Sequence, residues 1–466
     1  MSTKNTVMQN TISPVDGSVY VSLELANKKE IQQILANATS AQAKWRATSL
    51  DERKAICSAA IEAFVAKKEQ IAEELTWMMG RPIAYSGGEV NGVAERGQYM
   101  ISIADEALAP IELPEKEGFT RYITREPVGN VLVIAPWNFP YMTAINAIIP
   151  SLLAGNCVIL KHSAQTPLCA ERFFDAFSAA GLPEGVFQFL HISHEDTEAL
   201  IRDEQVNYVA FTGSVPAGAM VERNAAGRFI GVGLELGGKD PSYVRADADL
   251  DNAVETLVDG AFFNSGQSCC GIERIYVHES LHNQFVEKAV ALTKQYKLGS
   301  PDAPETTMGP VVRTAAADFV RGQIEEAVAG GAVAHIDENL FPASRKGTPY
   351  LAPQILTNVD HTMRVMTEES FGPVVGIQKV SSDEEAIGLM NDSDFGLTAS
   401  IFTKDMAKGV ELGQKVETGT FFLNRCDYLD PALAWTGVKQ SGRGCTLSSI
   451  GFEMLTRPKS YHIKHP

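Results

Sequence analysis

Two adjacent cysteines, Cys269 and Cys270, sit in the run FFNSGQSCCGIER (262–274), behind a glycine and small polar residues. Small neighbours let a ligand approach closely, and a thiol needs only a depressed pKa, from about 8.5, to become a strong nucleophile. A buried cysteine is more often inert packing. Here other side chains could complete an acyl-transfer site. A thiol adduct of a carbonyl needs donors for its oxyanion, and Asn138, in PWNFP, is a candidate unless it makes an Asx turn. A thioester needs a base to activate water. Glu235, in GLELGGK, stands between apolar residues beside two glycines, where a carboxyl pKa can rise; the alternative is a loop carboxylate satisfied by backbone N–H groups. Residue types alone leave open which cysteine attacks.

A second chemistry-bearing stretch is FTGSVPAG, which follows a strand-like run and opens a helix. Gly213 and Gly218 bracket the turn, and a helix N-terminus can face a phosphate. An ordinary strand–helix turn reads the same way. Lys161, past another strand end, is a ribose or phosphate contact or a solvated surface lysine.

Positioning such groups requires a scaffold. The first hundred residues read mainly as helix, with apolar residues at three-to-four spacing in 27–47 and 50–80. Strand-like runs follow at Val131–Ala135, Cys157–Leu160, Val186–Leu190, Tyr208–Phe211 and Phe229–Val232. Helical segments lie between them at Met142–Leu153, Pro167–Ala180, Asp196–Ile201 and Pro216–Ala225, with Thr166 as N-cap before Pro167. Apolar strands separated by helices imply a parallel sheet covered on both faces, with ligands at the strands' carboxyl ends. The loops to watch are therefore 136–141, 161–165 and 212–217. A second alternating region, from about Asp247 to Phe422, reads as another α/β unit, with helices near 282–297 and 315–329. The tail RPKSYHIKHP alternates like a strand and pairs with another element or another subunit.

The 466 residues are too many for one core, and 57 acidic against 40 basic residues give a net charge of -17. That surface disfavours nucleic acid and anionic membranes as partners, leaving small molecules. No apolar run approaches a membrane span. The opening MSTKNTVMQN lacks the pattern of a secretory signal, and seven scattered cysteines suit a reducing cytoplasm. Neither C-x-x-C pairs nor ligand-spaced histidines suggest a metal site.

Seven stretches in order resemble the aldehyde dehydrogenase superfamily: PWNFP (136–140), Lys161, FTGS (211–214) with Gly218, LELGGK (234–239), GQSC (266–269), EESFGP (368–373) and SGRG (441–444). The resemblance implies an α/β fold: a Rossmann-like parallel-sheet cofactor domain (1–108 and 128–235), an α/β catalytic domain (236–447), and a small β oligomerisation element (109–127 and 448–466). It makes Cys269 the nucleophile, Glu235 the general base, and Asn138 with the Cys269 N–H the oxyanion hole. The implied cofactor is NAD or NADP. Gly213, Ser214 and Gly218 would form the pyrophosphate turn, Trp137 and Lys161 the contacts around adenosine, Glu369 the nicotinamide-ribose partner, and Phe371 the nicotinamide neighbour.

The implied substrate pocket is Phe139, Met142, Thr143 and Asn146, then Phe263, Ser268, Cys270, Leu429 and Trp435. This mostly neutral lining leads us to expect an uncharged aliphatic or aromatic aldehyde, with a succinic-semialdehyde type as the alternative. Arg425 is the residue that threatens the first choice. The implied reaction runs through a thiohemiacetal and a thioester, with hydride transfer to the nicotinamide, and the assembly would be a homodimer or homotetramer.

Three positions depart from the family pattern. Ala164 replaces the usual acidic ribose ligand, His162 replaces a proline, and LAWTGVKQ precedes SGRG. The first two lead us to expect NADP to be accepted at least comparably to NAD, with Lys161, His162 and Ser163 as phosphate donors. A non-catalytic relative would be expected to lack Cys269 or Glu235. An enzyme passing the acyl group to coenzyme A typically lacks the Glu235 base. A cofactor-free thiol hydrolase would need a histidine base that the matched stretches do not supply.

Overall fold

A computed structural model describes residues 7–466. The first six residues, part of the opening segment read for an export signal, lie outside the described residues. Among the described residues no helix is long and apolar enough to cross a membrane.

The helix-rich start holds as Lys28–Trp45, Leu50–Val65, Lys68–Met79 and Ile83–Ala107. Asn27 and Glu30 close a capping box on the first of these. Gly80 ends the third in the left-handed region at φ 84°. The sequence reading missed an antiparallel hairpin, Met8–Ile12 with Val19–Glu24, which precedes them.

The first large sheet runs, edge to edge, Gly442–Arg443, Gly231–Glu235, Tyr208–Thr212, Asn130–Ile134, Cys157–Lys161 and Phe187–Phe189. All pairs are parallel except the one made by Gly442–Arg443. Every residue of Asn130–Ile134 and Cys157–Lys161 is buried, as two helix-covered faces require. Strand order reverses between Asn130–Ile134 and Tyr208–Thr212, and the crevice at such a switch is where α/β sheets take ligands. The loops carrying Trp137 and Asn138 and carrying Gly213 and Ser214 leave those two strands.

Two sequence expectations need correction. The fifth strand is Gly231–Glu235, not Phe229–Val232. Phe229 lies fully exposed at φ 55°. Glycines 231 and 233 carry this strand because a Cβ on either would reach 2.6 Å from the Tyr208 side chain. Thr166 does not cap the helix Leu168–Ala179; its hydroxyl meets the His162 ring at 3.2 Å instead.

The second sheet is seven-stranded and begins earlier than the sequence suggested, at Asp240–Val244. Its order is Val333–Ala334, Gln354–Thr357, Val374–Val380, Ile272–His278, Asp240–Val244, Thr398–Phe402 and Thr420–Leu423. A third sheet pairs the tail strand Thr456–Lys464 with Phe119–Pro127, which also pairs with Ile111–Glu112.

Candidate active site

The GQSC loop is built by a turn that few residues tolerate. After the helix Leu250–Phe262, Asn264 and Ser265 adopt φ 54° and 57°, and Gly266 follows at φ 72°. Gly266 is obligatory, since a Cβ there would sit 2.3 Å from the Gly372 carbonyl oxygen. This close crossing sets GQSC against EESFGP. Asn264 Nδ2 donates to the Asn138 carbonyl at 3.3 Å and to the Gln267 carbonyl at 3.1 Å. The Asn138 side chain donates to the same Gln267 carbonyl at 3.3 Å. Asn138 is thus a buried amide held across the GQSC loop, not the Asx turn that was its alternative reading.

The two cysteines differ sharply. Cys269 is half-buried and Cys270 is 2% exposed. The Cys270 thiol donates to Asp427 Oδ1 at 2.9 Å, and Ser268 Oγ donates to the same oxygen at 3.1 Å. The adjacent Cys269 thiol, burial and Asp427 together push the Cys270 pKa well above its usual value. Burial raises Asp427 to about 6. Asp427 was not foreseen; its position at φ 47° in an irregular loop leaves no periodic signal.

Glu235 ends its strand half-buried. Thr212 Oγ1 donates to its Oε2 at 3.1 Å, and the Thr446 hydroxyl donates to Oε1. Burial raises its pKa, and the two hydroxyls and Arg96 pull it back. Thr446 is placed by paired backbone bonds with Trp435 of 2.8 and 2.9 Å. The SGRG stretch locks the base loop from outside: Gly442 pairs with Glu235, and Ser441 Oγ donates to the Gly237 carbonyl at 2.7 Å. A Cβ on Gly238 would lie 2.5 Å from the Cys269 carbonyl oxygen. The LELGGK loop therefore lies directly on the backbone of Cys269.

Glu369 lies over the same glycines. Its Oε1 accepts the Gly238 N–H at 3.0 Å, and a Cβ on Gly237 would strike its carboxylate. Burial, then the nearby Glu273, raises Glu369 to about 8. Glu273 itself accepts the Ser370 and Phe371 N–H groups at 2.8 and 3.0 Å and pairs with buried Lys239. That clamp, which the sequence reading missed, holds Phe371 at φ 49° with its ring edge-on to Trp137 at 5.5 Å.

The residues assigned to a dinucleotide fit one. Lys161 is 7% exposed with no ion-pair partner among the described residues, and burial lowers it to about 8. An unpaired buried ammonium calls for an anion or oxygen-rich ligand. Ser214 N-caps the helix Val215–Ala225 without spending its side chain. Gly213 is close-packed on the Phe211 ring and its N–H donates to the Glu235 carbonyl at 3.0 Å. Gly218 is there for packing: a Cβ would meet Leu236 at 2.6 Å. Ala164 is exposed, and its carbonyl accepts the Thr11 hydroxyl at 2.8 Å, so the N-terminal hairpin braces this loop. Ser163 Oγ accepts the Gln165 N–H at 3.2 Å.

His162 does not serve as expected. Its Nε2 donates to the Pro140 carbonyl at 3.2 Å, and its Nδ1 accepts the Ser163 N–H at 2.9 Å and the Thr166 hydroxyl. Burial lowers it to about 3. It is a neutral interior ring, unavailable to a phosphate.

The pocket candidates sit in several surroundings. Phe139 carries the Arg81 guanidinium 4.6 Å above its ring, and Phe263 meets Tyr85 at 5.7 Å. Thr143 and Glu235 line one cavity. Leu429 and Met142 pack on the core of the first sheet, which includes buried Trp435. Asn146 is 2% exposed and accepts Arg96 Nη1 at 3.4 Å. Arg425 stands apart, exposed and stacked 4.0 Å over Tyr428. Arg81 was also missed. It pairs with buried Glu89, donates to the Asn138 carbonyl, and reaches Asn264 Oδ1 at 3.1 Å. Glu89 accepts the N–H groups of Tyr141 and Met142 at 3.0 and 2.9 Å. A cavity of 860 Å³ lies elsewhere, between Ser13–Gly17 and 343–350.

The profile of the Aldehyde dehydrogenase family matches residues 1–461. The NADP(+) succinate-semialdehyde dehydrogenase 1 of Mycobacterium tuberculosis is 33% identical over 97% of this chain and 99% of that protein. The NAD(P)+ succinate semialdehyde dehydrogenase Sad of Escherichia coli is 33% identical over 95% of each. The structure of succinic semialdehyde dehydrogenase from Streptococcus pyogenes with NADP+ superposes with a TM-score of 0.93 at 31% identity, covering 98% of this chain and 100% of that one.

Proposed function

The chain belongs to the aldehyde dehydrogenase family, and on that premise we propose that it oxidises an aldehyde to the carboxylic acid through a covalent thioester on Cys269, using NAD or NADP. The observation that carries this reading is the seating of the Glu235–Gly238 loop on the Cys269 backbone. That loop carries Glu235, whose carboxyl pKa burial raises.

In this reading the Cys269 thiolate adds to the aldehyde carbon. Asn138 steadies the oxyanion, its amide fixed by the Gln267 carbonyl and its backbone by Arg81 and Asn264. The dinucleotide supplies the two-electron acceptor; Lys161, Ser214, Glu369 and Phe371 would hold it. With the acyl group on sulfur, Glu235 takes a proton from water, the hydroxide adds, and the carboxylic acid leaves as the Cys269 sulfur is released. The exposed strand Thr456–Lys464 lies at the edge of its sheet and is the surface through which a homodimer or homotetramer would form. Light scattering on the purified chain measures that.

The test is absorbance of the reduced nicotinamide on mixing enzyme, aldehyde and NAD or NADP. Aldehyde-dependent reduction that disappears in Cys269→Ala is expected. Reduction that persists in that variant overturns the reading.

A further inference from the structure

The cavity of 860 Å³ lies between the N-terminal hairpin and the region of the second large sheet. The turn Ser13–Gly17 and Gln165 line it on one side, and Arg313, Thr314 and the loop 343–350 on the other. Its volume is in the range of small-molecule sites, which often lie between such units. None of the residues assigned above to the aldehyde or the dinucleotide lines it.

Its walls are tied together without any ligand. Arg321, 8% exposed, donates to the carbonyls of Arg345, Thr348 and Tyr350 at 2.9, 3.2 and 2.6 Å, and so sets the shape of the loop. The Tyr350 hydroxyl donates to the Val15 carbonyl at 2.9 Å, which joins that loop to the hairpin turn. Gln165 Nε2 donates to the Ile12 carbonyl at 3.0 Å. A preformed site spends little of its binding energy on ordering itself.

Charge decides what the cavity takes. Arg313 and Arg345 both line it, and neither guanidinium makes an ion pair or a hydrogen bond among the described residues. Arg313 precedes the helix Thr314–Ala329 and spends no side-chain bond on it. This happens in a chain with 57 acidic residues against 40 basic ones. Asp16 is the one acidic residue in the lining, and its carboxylate accepts the Ser18 N–H at 2.9 Å. A guanidinium stays charged and grips a carboxylate or phosphate through two parallel N–H bonds.

The cavity also touches the GQSC loop. Val312 lines it, and the Val312 N–H donates to Gln267 Oε1 at 2.7 Å. Nearby, Ser265 Oγ donates to the Gly309 carbonyl at 2.8 Å. A shift of the 309–313 segment therefore reaches Gln267, whose carbonyl accepts the Asn138 amide.

We propose that this cavity is a regulatory site for a small molecule carrying two or more anionic groups, carboxylate or phosphate, held by Arg313 and Arg345. Its occupancy acts on the GQSC loop through Val312 and Gln267. The ligand is neither the aldehyde nor the dinucleotide.

The experiment is calorimetric titration of the full chain, saturated with NADP, at matched ionic strength. The probes are citrate, fructose 1,6-bisphosphate and uncharged fructose. Citrate tests the carboxylate source and the bisphosphate tests the phosphate source. At least one of the two anions should bind with Kd below about 1 mM, and fructose should not bind. Arg313→Gln and Arg345→Gln should each weaken that binding at least about tenfold, the loss of a charged hydrogen bond. Both side chains are exposed, and the contrast with fructose needs no variant. The bound anion should change the rate at which iodoacetamide labels Cys269 by at least about threefold, the sign of coupling between two sites. If neither anion binds below about 10 mM, or if binding is unchanged in both variants, the site is overturned. Binding without a change in Cys269 labelling overturns the link to the loop. Neither readout needs aldehyde oxidation, so failure here leaves the aldehyde-oxidising reading standing.

Discussion

The Cys270 thiol donates to Asp427 Oδ1 at 2.9 Å, so the second of the two adjacent cysteines is tied to a carboxylate. The adjacent Cys269 thiol, then burial and Asp427, raise the Cys270 pKa well above its usual value and favour the thiol form. Cys269→Ala should lower kcat by more than about 10⁴-fold. Cys270→Ala should keep activity within about tenfold of wild type. Peptide mapping after brief iodoacetamide treatment at neutral pH should find label on Cys269. Complete loss of activity in the Cys270 variant, with Cys269 still labelled, would reverse the assignment.

Glu235→Gln should slow hydrolysis more than acyl-enzyme formation. Rapid mixing should show a burst of reduced cofactor, then a steady rate lower by about 10²–10⁴-fold. Equal loss in both phases contradicts the role of Glu235.

The base works only when ionised, so the hydrolytic rate should fall as pH drops through its pKa. Burial places that limb above the ordinary 4.5 of a glutamate. The Thr446 hydroxyl lowers the same pKa. Thr446→Val should therefore move the acid limb of the steady-state kcat up by about one unit, the worth of a hydrogen bond to a charged group. A limb that stays or moves down rules this out.

Glu369 is raised from 4.5 to about 8, so the cofactor-free fold prefers its neutral form. Its contribution to stability is full below about pH 4.5 and is lost as pH rises through about 8. The slope it adds is at most about 1.4 kcal/mol per pH unit. Denaturant titrations of Glu369→Gln across pH 5 to 8 should give a flatter profile than wild type, and KM for the dinucleotide should rise. Parallel profiles would remove this role.

Cofactor choice rests on Ala164 and Lys161. An acidic residue at 164 would repel a 2′-phosphate by about 4 kcal/mol near 4 Å at an effective dielectric near 20. The exposed alanine removes that repulsion, and Lys161 remains. NADP should be used at least comparably to NAD, and Ala164→Glu should shift preference toward NAD. His162→Ala should lower thermal stability without moving the ratio, because its ring is spent on Pro140, Ser163 and Thr166. A wild-type preference for NAD beyond about a hundredfold, nearly 3 kcal/mol, defeats this reading of the loop.

The sequence by itself determined the doubly wound sheet, because buried parallel strands are solid apolar runs whose ends the glycine and proline punctuation marks. Short local stretches singled out Glu235, Asn138 and the adjacent pair Cys269 and Cys270, and the family resemblance chose Cys269 between the two. The sequence reading mislaid the strand Gly231–Glu235, where glycines demanded by the Tyr208 ring erase the apolar signal. Tertiary structure alone decided which side chains meet. Arg96 and Asn146 are 50 residues apart, and Thr446 is 211 residues from the Glu235 it bonds. Nothing in local periodicity encodes such a distance. His162 looked like a phosphate donor until the fold turned its ring inward, while Arg425, the residue that threatened the neutral-pocket expectation, lies in solvent over Tyr428. Charge is legible in a sequence, but its use depends on burial and on which partners remain unspent, and only packing sets those.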